Sequence, residues 1–76
     1  MTFNFDELNT IYSILGRTIE DNVIHAANMR EEWETTENPA DKAFWRESID
    51  GTMAENMELN ELRKKVMEMM KNTRIL

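Results

Sequence analysis

The chain has 76 residues, a formal net charge of −6 at neutral pH, no cysteine and one histidine, His25. That length allows one domain with a marginal core, and the composition excludes disulfides and a thiolate or multi-histidine zinc site as its support, which leaves oligomerisation. An acidic chain lacks the basic stripe that nonspecific nucleic-acid binding requires, and its imbalance is one-sided: residues 1–38 hold eight acids against two bases, residues 39–76 seven of each.

A first helix is predicted over about 4–34. Asn4 is a capping residue, Glu7 stands three positions later as in a capping box, and Phe3 and Leu8 have the spacing of a hydrophobic staple. From there Leu8, Tyr12, Leu15, Ile19, Asn22, Ala26, Met29 and Trp33 follow alternating steps of four and three, the seam of a helix that packs on another helix. The pattern is lost after Trp33, and residues 35–38 read as a turn.

Asn38 followed by Pro39 is a cap with proline at the first helical position, so a second helix is predicted over about 39–72. Counted from Phe44, its four-three ladder runs Phe44, Ser48, Gly51, Glu55, Leu59, Leu62, Val66 and Met69, apolar at both ends and poor in the middle. Gly51 suits a C-terminal cap, and Thr52 with Glu55 forms another capping box, so a break into three helices is the alternative to one long helix kinked at Gly51. The preferred reading is all-α: an antiparallel hairpin of two long helices forming one domain over residues 1–76, each helix roughly 45–50 Å long at 1.5 Å per residue.

A hairpin of this kind leaves apolar residues over. Trp45 is about 100° around the axis from Phe44, so the two cannot share a seam, and Trp45 begins a second stripe with Ile49, Met53 and Met57. The first helix has Ile14 and Ile24 off its seam. Apolar surfaces of that extent mark interfaces, so Ile14, Ile24, Trp45, Ile49, Met53 and Met57 are the expected contacts of a homodimer or higher helical bundle. Five of the six methionines beyond Met1 lie on the second helix, where they fill irregular contacts without dictating one geometry.

No catalytic residues are assigned. One histidine with scattered carboxylates supplies no triad, glycine-rich phosphate loop or metal-ligand spacing, and neither a cofactor nor a metal is expected. The groups suited to a ligand are Lys42, Trp45 and Arg46, an indole beside a guanidinium that stacks a base and contacts a phosphate, with Arg63 and Lys64 as further phosphate contacts. Each has a plainer explanation: tryptophan and arginine anchor subunit interfaces, and cations in the last turns complement the helix dipole. Glu31, Glu32, Glu34, Glu37 and Asp41 form an acidic end that is either a solvated turn or a mimic of phosphates. No apolar run approaches the roughly 20 residues of a membrane span, and the start MTFNFDELN lacks a signal-peptide pattern, so a cytoplasmic protein without membrane contact is expected.

With its capped FNFDELN start and its NPADKAFW and NELRKKV segments, the acidic, cysteine-free chain resembles the small all-helical accessory proteins of bacteriophages and prophages. That resemblance implies stoichiometric binding in the host cytoplasm. One form of it is an oligomeric sponge sequestering a small anionic nucleotide-type signal between subunits; another is an acidic inhibitor of a host protein; a third is a structural oligomerisation adaptor.

Overall fold

The computed structural model describes residues 3–75, with side chains through Thr73. Two helices, α1 (Phe5–Thr35) and α2 (Pro39–Ile75), pack against each other along their length as a hairpin in a rod of 58 × 17 × 14 Å. Only residues 36–38 separate them, and a connection this short makes neighbouring helices antiparallel. Neither helix is long and apolar enough, among the described residues, to cross a membrane.

Both helix starts are capped at the residues the sequence singles out, while α2 continues to Ile75, past the expected end at about 72. The Asn4 side chain accepts from the Glu7 amide at 2.8 Å while Glu7 Oε1 accepts from the Asn4 amide at 3.0 Å, which satisfies two donors that a helix start leaves orphaned. At the start of α2, Asn38 Oδ1 accepts from Ala40 at 2.9 Å and from Asp41 at 3.4 Å. Pro39 has no N–H to satisfy, so it fits the first position of this turn. The end of α1 has extended backbone at Thr36, whose amide donates to the Glu32 carbonyl at 3.0 Å.

Every residue of the predicted α1 seam from Leu8 to Trp33 is buried or half-buried. The α2 ladder is different. Its inward residues are Trp45, Ile49, Thr52, Asn56, Leu59, Arg63, Val66, Met70 and Thr73, still in alternating steps of four and three, but one residue out of phase with Phe44 over most of the helix. Only Leu59 and Val66 belong to both sets. Phe44 is 60% exposed, Leu62 and Met69 face solvent, and Ile49, assigned above to a subunit interface, is buried within the hairpin.

The physical reason lies in the polar residues. Each phase offers five large apolar side chains, so hydrophobicity alone does not choose between them. The Phe44 phase would bury the Glu55 carboxylate against an α1 seam that contains no cation, at a cost of several kcal/mol or more, whereas the charge that the observed phase turns inward, Arg63, stays half-exposed with its guanidinium over the Tyr12 ring. The observed phase buries Asn56 instead, 5% exposed and fully engaged: its Nδ2 donates to the Ile19 carbonyl at 3.2 Å, and its Oδ1 accepts from Asn22 Nδ2 at 2.8 Å. The Asn60 amide donates in turn to the Asn56 carbonyl at 3.0 Å.

Gly51 neither breaks nor caps α2, which runs through it uninterrupted. It is exposed, and a Cβ there would meet nothing within 4 Å, so it is not a point of close helix approach. Around the Asn pair the core is thin. Leu8, Val66 and the cluster of Ala26, Met29 and Ile49 are buried, with Trp33 and Trp45 packed against that cluster near the turn.

Two predictions follow from this packing. Asn56→Ala leaves the half-buried Asn22 amide without its acceptor and should cost about 1–3 kcal/mol in chemical denaturation, more than an alanine at exposed Asn9. Gly51→Ala, at an open helical position, should raise stability by about 0.5–1 kcal/mol with unchanged helicity; a loss would show that the position carries a strain absent from this fold.

Candidate functional site

Lys42, Trp45 and Arg46 each make a separate contact. Lys42 Nζ donates to the Trp33 carbonyl at 3.0 Å and sits 4.6 Å from the centre of the Trp33 ring. That carbonyl is among the last four of α1, where the helix has no base of its own in the final turn, so Lys42 supplies from α2 the cation that the negative end of the dipole favours. The Trp45 ring packs on the core cluster, with Phe44 edge-on at 5.2 Å between ring centres and 73° between planes. Arg46 extends to Asp50 at 3.6 Å in an exposed pair of the kind that contributes little. The indole assigned to ligand stacking therefore belongs to the hairpin core, because Trp45 and not Phe44 is in phase with the seam.

Arg63 and Lys64 are placed differently. Arg63 occupies a seam position of α2, where a side chain would ordinarily be apolar, and the surface of α1 is shaped to receive it. Its guanidinium lies over the Tyr12 ring, 4.0 Å from the ring centre, in a cation–π arrangement. A Cβ at Gly16 would stand 2.6 Å from Arg63 Nη2 and 3.0 Å from Cζ, so the guanidinium rests where only glycine leaves room. Gly16 is buried by this contact. Arg63 Nε is buried without a hydrogen-bond partner, and no ion pair involves this arginine among the described residues.

Beside the guanidinium is a cavity of about 150 Å³ lined by Tyr12, Asn60, Arg63, Lys64 and Met67. Lys64 Nζ reaches Glu61 at 3.3 Å in an exposed pair. The notch was legible only in part. Arg63 and Lys64 stood out as cations; Tyr12, Gly16 and Asn60 did not, because the signal is a glycine on one helix level with an arginine on the other, which requires the register. The Arg74 side chain, at the end of the same basic run, lies outside the described residues.

A second feature runs along the same flank. Val23 and Arg30 each follow a seam residue of α1 by one position, and Met53, Asn60 and Met67 follow seam residues of α2 in the same way; in an antiparallel pair these positions border one groove. Val23, Ala26, Ala27, Arg30 and Met53 line a hollow of about 230 Å³, and Phe5, Met67, Met70 and Lys71 line another of about 220 Å³. Met57, 71% exposed, lies one turn from Met53. Of the residues expected at an interface, Met53 and Met57 belong to this flank, Ile14 lies toward the opposite one, and Ile24 points outward, both exposed. Val23 was missed, since a lone valine between Asn22 and Ile24 forms no stripe on its own helix.

Comparison with known proteins finds no family model, no curated protein and no solved structure that matches this chain.

Trp45→Ala separates the two roles of that residue. A core role predicts a loss of about 2–3 kcal/mol, read by thermal or urea unfolding, because the substitution leaves a void beside Ile49 and Met29. A purely ligand-facing tryptophan would leave unfolding within about 0.5 kcal/mol of the parent.

Proposed function

We propose that this chain is a non-enzymatic binding protein that works as a homo-oligomer, two hairpins packing through the Val23–Ala27–Met53–Met57 flank into a helical bundle. The observation that carries the reading is this exposed apolar strip on a rod whose own core buries few large apolar side chains. A second copy would hide it, and like charges would not oppose that pairing. By helical position the flank carries Arg30, Arg46, Lys64 and Lys71 among acids such as Glu20, Glu34 and Asp50, whereas the charged residues of the opposite flank are mostly acids. The bundle would be of the four-helix kind, in which methionine-rich contacts are easily accommodated.

Sequestration of a small anionic signal, as in phage counter-defence, is a use to which such an oligomer could be put. Its phosphate contacts would be Arg63 and Lys64, since Lys42 is engaged by Trp33 and Trp45 by the core. The alternative of an acidic inhibitor is supported by a separate observation: Glu31, Glu32, Glu34, Glu37 and Asp41 are all exposed around the turn and form no salt bridge among the described residues. That end would suit a basic protein surface.

Light scattering over a range of protein concentrations tests the proposal. The parent chain should show at least twice the chain mass, and Met53→Glu with Met57→Glu should give a helical monomer. A parent that stays monomeric at several hundred micromolar would overturn it. A double variant that keeps the parent's mass would place the interface elsewhere.

A further inference from the structure

We propose that the notch formed by Tyr12, Gly16, Asn60, Arg63 and Lys64 is a binding site for the phosphoryl group of a small ligand. The site lies within one chain, so it does not depend on self-association.

An arginine side chain carries five N–H donors and no acceptor. A guanidinium held in a helical seam ordinarily satisfies them with a carboxylate or with backbone carbonyls, because a desolvated cation without acceptors is costly. Arg63 has neither here: its contacts are the face of Tyr12 and the backbone surface at Gly16, and its Nε is shut off from solvent without a partner. The half-buried charge is therefore held in place with Nε unpartnered and no protein acceptor on its terminal nitrogens among the described residues, beside an open cavity of about 150 Å³.

The lining of that cavity indicates which anion. A carboxylate is satisfied by a guanidinium fork alone. Here a second cation, Lys64, and the neighbouring Asn60 join Arg63 around the same space. Two cations on one cavity suit a doubly charged tetrahedral group, with the second hydrogen of the Asn60 amide, whose first goes to the Asn56 carbonyl, as a further donor. Lys64 is free to turn, since its pair with Glu61 is solvent-exposed and weak. The surroundings agree: residues 57–75 carry five bases against three acids, in a chain whose remaining charge is strongly negative. The cavity is too small for a whole nucleotide, as sites for such ligands span about 300–1,000 Å³, so only the phosphoryl group would enter. The rest of the ligand would lie along the flank toward Met67.

The test is a titration of the intact protein with inorganic phosphate at constant ionic strength, followed by the NMR signal of the Arg63 Nε–H. Chloride and acetate serve as controls. A saturable shift with phosphate, at least tenfold tighter than any response to acetate, is expected. Arg63→Lys keeps the charge but loses the fork, and should weaken the phosphate response at least tenfold as read from backbone amides of residues 60–67. Gly16→Ala displaces the guanidinium and should do the same. Lys64→Gln, at an exposed position that leaves the fold intact, should weaken it about three- to tenfold, which keeps the test decisive if either seam variant unfolds. A non-saturating response, an equal response to acetate, or a Lys64→Gln protein that binds phosphate like the parent would each overturn the proposal. So would an Arg63 signal that moves with protein concentration but not with phosphate, since the occupant would then be a carboxylate of a second copy.

Discussion

The hydrogen bond between Asn22 and Asn56 sets the phase of the second helix and through it the position of every other side chain in the hairpin. Asn56 uses its amide nitrogen on the Ile19 carbonyl and its oxygen on Asn22, so two polar groups are buried with their needs met. Sliding α2 by one heptad would set Asn56 against Leu15 or Met29 and leave those groups unpaired in an apolar layer. A lone polar layer in a helical seam is known to specify register at some cost in stability, and here it also decides which face of α2 is inward. Trp45 enters the core and Phe44 leaves it as a consequence of that choice.

The same phase explains why the molecule is well specified but thinly filled. With Thr52, Asn56, Arg63 and Thr73 among the inward positions, α2 contributes few large apolar groups, and the densest packing is near the turn, where Trp33 and Trp45 flank Ala26, Met29 and Ile49. The exposed methionines and branched side chains are what remains after those places are filled. A chain of 76 residues with this much apolar surface outside its core has reason to meet another surface, and the flank with Val23, Met53 and Met57 is one candidate.

Arg63 is the counterpart of Asn56 with its needs left unmet. Both are polar residues at inward positions, and both face a shaped surface of α1: Asn56 meets an amide and a carbonyl, Arg63 an aromatic face and a glycine. The first contact closes the local hydrogen-bonding account and stabilises the fold. The second leaves one donor, Nε, without a partner and a half-exposed guanidinium beside a cavity. The acidic turn lies toward the other end of the rod.

Local rules written in the residues were enough for the helices, their ends and the inward face of α1. Asn4 with Glu7 and Asn38 with Pro39 are capping signals that act over three or four residues, and the α1 seam is a ladder apolar at every step but Asn22, which admits one phase. The phase of α2 was not legible in the same way, because its two candidate ladders offer equal numbers of large apolar residues and each brings a charged residue inward, Glu55 in one and Arg63 in the other. That choice depends on what stands opposite, and Asn22 is 34 residues away. The notch was hidden for the same reason. A glycine at position 16 and an arginine at 63 have no relation along the chain, and only the antiparallel register brings the missing Cβ of one beneath the guanidinium of the other.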